Sequence, residues 1–562
     1  MSRVTGSVLA VTNLDCWMSN PPLTMGVHIV VSRSLRRRLG AAAAAAVLLA
    51  TFAVAAPAQA AGNDRIEQLT KSVTLAGLLR HLVAFQGIAS LHNDNRASGS
   101  PGYDRSADYV ATLMRLAGYH VTRQPFDFNY CEETGDPAFT QNTPTATTYV
   151  DQEDYDVLDC SGSGTATGAV VPVDLQLTTP NTSTSGCEAE DFTAAVAGNI
   201  ALLQRGTCPF GTKVANAEAA GAIGAIVMNQ GNTDTPDRQD LFFGTLGAPV
   251  GIPAVSVSYP LGVEFAGTAG LTVTITTETI AQIRQTENVF AETRHGNPDE
   301  VVMVGAHLDS EPDTPGINDN GSGSAGILEV ALQMRKFKTT NKVRFAWWGA
   351  EESNLAGSTY YVNNLLAENE AELARIALYH NYDMIGSPNY TFGVYDGDDS
   401  AATGSPAGPP GSAEIEAVFQ SFFAARGEAT APADFTGRSD YGPFIAAGVG
   451  IPAGGLFTGA EVLKTEEDVA LWGGVAGAQY DPCYHDPCDS LTPERDGADA
   501  ELYAQLRREY RLFGNVNTFA IDTNADAIAT AVATFAYDTS MIPPRTTTMA
   551  AARSAAAGTP AA

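Results

Sequence analysis

The stretch Val301-Val302-Met303-Val304-Gly305-Ala306-His307-Leu308-Asp309, with Asp319-Asn320-Gly321-Ser322-Gly323-Ser324 and the run Ala325 to Met334 behind it, decides the fold. Val301 to Ala306 reads as a buried strand. The Asp-, Pro-, Gly- and Asn-rich stretch that follows reads as a loop carrying Asp319, and the apolar-periodic run as a helix. A second β-rich run, Val343 to Trp348, stops just before Glu351 and Glu352, and a third, Leu378 to Asp383, ends on a carboxylate. Each acid or histidine stands where a strand stops. That is the pattern of an open α/β sheet, which assembles its site at the carboxyl ends of parallel strands.

The residue types point to metal chemistry. His307, Asp319, Glu352, Asp383 and, far downstream, His485 are imidazole and carboxylate donors without thiolate, a set that suits zinc kept partly open to water. A strand's period of two places His307 and Asp309 on one face, so Asp309 is expected to orient the imidazole through its carboxylate. Adjacent side chains diverge, so Glu351 and Glu352 can divide two tasks: one binds metal, the other moves a proton between water and leaving amine.

These words, with Asp383-Met384-Ile385-Gly386-Ser387-Pro388-Asn389, Gly437-Arg438-Ser439-Asp440 and Tyr480-Asp481-Pro482-Cys483-Tyr484-His485, resemble the secreted di-zinc aminopeptidases of metallopeptidase family 28. The resemblance covers residues 66–129 and 287–537. It implies an α/β zinc exopeptidase fold, a mixed, mostly parallel β-sheet flanked by helices. It also implies two Zn2+ per subunit, with His307 and Asp383 on one ion, Glu352 and His485 on the other, and Asp319 bridging both. Glu351 is then the general base. Tyr484 stabilises the oxyanion, Arg438 places the substrate, and Met384 and Phe457 line an apolar side-chain pocket. A cis peptide is expected at Asp319-Asn320. Some relatives also require Ca2+, and no motif here identifies ligands for it. The plain alternatives are that Arg438 pairs with Asp440, that Tyr484 is a packed rim residue and that Met384 and Phe457 are ordinary core.

The chain has 562 residues and a formal net charge of −31, which disfavours nucleic acid and anionic membrane as partners. Arg33, Arg36, Arg37 and Arg38 precede an apolar run, Ala41 to Ala56, and then Pro57-Ala58-Gln59-Ala60, which together read as an export signal cut after about Ala60. The apolar run is short and alanine-dominated, which argues against a membrane anchor. Arg36-Arg37 raises the twin-arginine route without a complete motif, and residues before Met25 are unlike a signal start. Six of the seven cysteines lie beyond this segment, an even count that suggests disulfides in an exported chain. By the resemblance, Cys483 and Cys488 close a loop around His485. Chain proximity pairs Cys187 with Cys208 and Cys131 with Cys160. Thiolate zinc binding is the alternative, and no CxxC pair supports it.

Between Cys131 and about Ile283 the composition shifts to Thr, Gly and Ala. Residues 199–204, 225–228 and 252–257 read as strands and 211–220 as a helix. Leu203-Gln204-Arg205-Gly206-Thr207-Cys208-Pro209-Phe210 resembles the protease-associated (PA) domain, a smaller β-rich α/β insert that is non-catalytic. The expected organisation is thus a leader and signal at 1–60, the first part of the peptidase domain at 61–130, the PA insert at 131–285, the catalytic domain at 286–540 and a low-complexity tail at 541–562. Leu78 to Gln86 and Ala107 to Leu116 read as amphipathic helices beneath the sheet, and 397–411 as a surface loop.

The reading is therefore a secreted, monomeric metallo-aminopeptidase acting on peptides or proteins with a free, preferably apolar, amino-terminal residue, with no membrane association once mature. A carboxypeptidase on the same chassis would need basic groups aimed at a free carboxylate, and Lys and Arg are scarce near the motifs. A metal-free binding protein would have lost ligands, and all five are present.

Overall fold

The computed structural model describes residues 64–233, 235–402 and 404–544. The expected leader and export signal, and the tail beyond residue 544, lie outside the described residues.

The central sheet has eight strands: β1 (His120–Glu133), β2 (Thr279–Glu292), β3 (Asn297–His307), β4 (Asn341–Trp348), β5 (Ile376–Tyr382), β6 (Gly393–Tyr395), β7 (Ala431–Ala433) and β8 (Ala453–Phe457). Their order is β1-β2-β4-β3-β5-β8-β6-β7. The middle four, β4-β3-β5-β8, run parallel, with His307 opposite Trp348 and Tyr382 opposite Leu456, so four strands end along one edge. The flanking pairs β1/β2, β2/β4 and β6/β8 are antiparallel, making the sheet mixed.

Strand periodicity sorts side chains between two cores. Val302, Val304 and Ala306 of β3, with Phe345 and Trp347 of β4, pack with helices α1 (Leu75–Leu91), α2 (Pro101–Ala117), α3 (Gly321–Met334) and α5 (Thr518–Tyr537). Met303, Ala346, Trp348 and Tyr379 face the other way, against α4 (Ala356–Glu368) and Phe444. Both faces are covered, which is why β3 reads as an unbroken apolar run.

The helices exist where expected but begin earlier than the apolar period suggests. α1 starts at Leu75 behind an N-cap Thr74, and α2 at Pro101 behind Ser100, each cap hydroxyl accepting a backbone N–H. α3 starts at Gly321, with the Asn320 side chain accepting from Gly323 N at 2.8 Å. Capping chemistry, not hydrophobicity, sets these first turns. Gly323 must lack a side chain, because a Cβ there would collide with Tyr382 O and Asn320 Oδ1.

β1 and β2 form a long antiparallel arm, paired from His120/Glu292 to Glu133/Thr279. At its far end sits a second eight-stranded sheet, built from strands between Ala138 and Thr277, with its own two apolar clusters. Ile200–Gln204, Phe210–Ala219 and Gly224–Met228 match the expected strand, helix and strand closely, while the next strand begins at Ala254 because Pro253 cannot donate to the ladder. All three expected disulfides are formed: Cys131–Cys160 ties the arm to this module, Cys187–Cys208 lies within it, and Cys483–Cys488 closes the loop around His485. Among the described residues no single helix is long and apolar enough to cross a membrane.

Candidate active site

The parallel strand ends deliver the candidate residues to one place. His307 is the last residue of β3, Asp383 follows β5 directly, and Glu351 and Glu352 sit on the turn after β4. Asp319 lies in the loop before α3, and its peptide to Asn320 is cis. Ala350, Met384 and His485, each beside or within the cluster, have φ of 54°, 49° and 59°. Non-glycine residues in this region are held there only by their surroundings, a common condition at functional sites.

His307 Nε2 lies 3.2 Å from Asp319 Oδ1 and 3.2 Å from Asp383 Oδ1. His485 Nε2 lies 3.4 Å from Asp319 Oδ2 and 3.4 Å from Glu352 Oε2. Asp319 therefore offers one oxygen to each imidazole. Glu351 Oε2 stands farther off, 3.9 Å from His307 Nε2. It also belongs to a donor group with His307 and Glu352; the longer distance sets it apart from the closer carboxylates.

Asp309 meets the His307 ring through its carbonyl as well as its carboxylate. His307 Nδ1 donates to its backbone carbonyl at 3.2 Å, while its carboxylate is 3.6 Å from that nitrogen and accepts from Glu351 N at 3.3 Å. The carbonyl holds the ring with Nε2 turned toward the carboxylates.

Burial would raise Asp319, yet hydrogen bonds and charge from the two imidazoles hold it below the usual carboxylate range. Glu351 goes the other way, pushed well up by burial and then by Glu352 and Asp383, against the pull of His307. Burial and Asp319 lift Glu352 to about 6. Both imidazoles rise above their ordinary value despite burial, His485 to about 12, because carboxylates surround them.

The donor set fits cations. Atoms of His307, Asp319 and Asp383 lie within 4.8 Å of one another, as do those of Glu311, Glu352 and His485. Glu352 Oε1 is buried with no hydrogen-bond partner. Buried polar atoms are normally satisfied, and imidazole with carboxylate is a zinc-type donor set with room for water.

Beside the cluster opens a cavity of about 390 Å³ whose lining includes Met384, Tyr395, Pro432, Phe457 and Val462 together with Glu351 and Asp383. Tyr484 lies at this cavity, its ring stacked on His485 with centroids 3.8 Å apart. Arg438 Nη2 donates to Tyr484 Oη at 3.3 Å, and Arg438 Nη1 pairs with Glu461 at 2.6 Å, not with Asp440.

Several supporting residues have roles that motif reading does not disclose. Arg96, fully buried, donates to the carbonyls of Leu308, Pro315 (2.8 Å) and Gly316 (2.6 Å), gripping the loop that carries Asp319. Asp489 accepts from the backbone of Asn318 and Asp319, and Asn515 and Asp481 complete a buried polar network below. Ser439 donates to Asp383 Oδ2 at 2.6 Å. Their partners are remote in sequence and largely backbone, so no local pattern announces them; an Asn and an Asp flanking candidate ligands were the available hint.

Residues 288–506 match Peptidase family M28, and residues 166–265 match the PA domain. An aminopeptidase of Pseudomonas aeruginosa (strain UCBPP-PA14) is 45% identical over 463 residues, covering 82% of this chain and 81% of the relative. Leucine aminopeptidase 2 of Trichophyton rubrum is 36% identical over 485 residues, covering 85% of this chain and 88% of that one. The structure of an aminopeptidase from Aneurinibacillus sp. strain AM-1 superposes with a TM-score of 0.58 at 24% identity, covering 83% of this chain and 95% of the other.

Proposed function

The chain belongs to peptidase family M28, and from that premise we propose that it is an exported two-zinc aminopeptidase that removes apolar, leucine-like residues from the free amino terminus of peptides. One observation carries the reading: a buried aspartate, Asp319, turns one oxygen to each of two histidines beside an apolar cavity. His307 and Asp383 would hold one ion, Glu352 and His485 the other, and Asp319 both. When bound, zinc supplies Lewis acidity, which lowers the pKa of a water and polarises the scissile carbonyl.

The remaining work falls to protein groups. Glu351, buried 3.9 Å from His307 Nε2, takes the proton of the attacking water and hands it to the departing nitrogen. Tyr484 donates its hydroxyl hydrogen to the oxygen on which charge develops, and Arg438 donates to the Tyr484 oxygen, which favours that orientation. Glu351 and Asp383, at the mouth of the apolar cavity, suit the substrate's ammonium group. Met384 and Phe457 wall the space for its side chain.

A carboxypeptidase would need a free cation for the terminal carboxylate. Arg438, the one Lys or Arg side chain among the described residues lining this cavity, is paired with Glu461. Three disulfides accord with export. The residues that bound the PA module, its non-catalytic role and a monomeric state belong to the same proposal; calcium has no assigned ligands in it.

The test compares leucyl-anilide, its amino-acetylated form and a carboxyl-amidated leucyl peptide, each with and without chelator. Cleavage of the free-amine substrates, abolished by acetylation and by chelation and restored by zinc, is expected. Equal cleavage of the acetylated substrate would end the aminopeptidase reading.

A further inference from the structure

Glu311 occupies the same loop as His307's backbone partner and the bridging Asp319, yet it faces the second histidine. His485 directs Nε2 at Asp319 and Glu352, and its other nitrogen, Nδ1, lies 3.7 Å from Glu311 Oε1. The two histidines are held very differently. His307 is 2% exposed and anchored through Nδ1 to a carbonyl, whereas His485 is 37% exposed and has one ring neighbour among the described residues, Tyr484. Something must fix its tautomer, because a ring free to flip presents the wrong nitrogen half of the time.

Glu311 shares a donor group with Glu352 and His485, but it meets the ring at Nδ1 and not at the Nε2 that faces Asp319 and Glu352. It lines a cavity of about 560 Å³ together with Asp313 and with Glu132, Glu133 and Asp159 from the arm and the inserted module. Neither Lys nor Arg is among the described residues of that wall; His485 is its single basic side chain. A small turn of the Glu311 side chain closes 3.7 Å to hydrogen-bond length.

Resting on the reading of His485 as a zinc ligand, we infer that Glu311 is a positioning residue, accepting the Nδ1 hydrogen of His485 so that Nε2 stays directed at the second ion. Metal-bound histidines typically carry such a carboxylate or carbonyl partner, and losing it costs roughly 10–100-fold in metal affinity. The site would then be asymmetric: a backbone carbonyl serves one histidine, a mutable side chain the other.

The experiment is a competitive zinc titration against a chromophoric chelator on the full protein, for wild type, Glu311→Ala, Glu311→Gln and His485→Ala. Wild type should hold two ions. Glu311→Ala should weaken one of them by about 10–100-fold and leave the other unchanged. Glu311→Gln, which keeps an acceptor oxygen, should recover part of the loss, and excess zinc should restore the kcat of both variants. Wild-type affinity for both ions in Glu311→Ala, or equal weakening of both, would overturn the assignment. A wild type holding fewer than two ions, or an unaltered stoichiometry in His485→Ala, would overturn the two-ion reading and this proposal with it.

Discussion

Glu351 and Glu352 are chemically identical neighbours, and their surroundings alone separate them. Glu352 faces His485 at 3.4 Å, while Glu351 stands 3.9 Å from His307 with its carboxyl pushed well up by burial. Glu351→Gln is therefore expected to lower kcat by roughly 10²–10⁴-fold, the range of general acid–base catalysis, with zinc content by atomic emission unchanged. Loss of metal along with activity would make Glu351 a ligand instead. Arg96 makes a different kind of prediction. Its guanidinium is brought down to about 10 by burial, so it stays charged at neutral pH while donating to three carbonyls of the Asp319 loop. Arg96→Leu leaves those acceptors and nearby Asp309 and Asp489 uncompensated, at a cost of about 3–5 kcal/mol. Denaturant unfolding should show it, and a midpoint equal to wild type would refute the account. The five ligand candidates were legible in the sequence because each ends a strand or sits in a long motif. Arg96 and Asp489 were not, and Ser439, though inside a quoted motif, gave no sign of its bond to Asp383, since these partners arrive through tertiary folding.

At the scale of elements, the apolar runs predicted β3, β4 and β5 to within a few residues because the central residues of these strands are buried and mostly apolar. Helix starts were less legible. The first turn of α3 is Gly321-Ser322-Gly323-Ser324, which carries no apolar period, yet every one of those residues is buried. Small size is what the position demands: the helix approaches β5 so closely that a Cβ on Gly323 would strike Tyr382 O and Asn320 Oδ1. Asn320 in turn binds Met384 N at 3.2 Å and Tyr382 O at 2.9 Å, linking the α3 cap to the end of β5 that carries Asp383. Gly323→Ala is expected to cost about 1–3 kcal/mol, as overpacking in a tight core does. Because the strain is passed to the segment bearing Asp383, zinc affinity should fall as well. A calorimetric melt and a zinc titration on this variant check the two halves separately, and a destabilised variant with wild-type zinc affinity would show that the cap does not tune the site.

At the scale of the whole molecule, the site couples metal, protons and folding. Carboxylates crowd two imidazoles, and both imidazoles are raised above their ordinary value, His485 to about 12. Between pH 6 and 8 the metal-free site therefore keeps those protons, and each entering zinc must displace one, since a ligating histidine is neutral. Affinity for each ion should rise at least about tenfold per pH unit over that window, with at least one proton released per ion and Glu352, lifted to about 6, adding to it near the lower end. Because zinc binds the folded chain and stabilises it in proportion to the logarithm of concentration over Kd, the effect is visible in thermal melts. The sign is fixed: the raised imidazoles stabilise the metal-free fold at low pH, while zinc stabilises the loaded fold more as pH rises. At fixed free zinc the difference in Tm between loaded and chelated protein should therefore widen from pH 6 to pH 8. A difference that stays constant would mean that no ligand proton is displaced, and one that narrows would place the titrating groups outside the metal site.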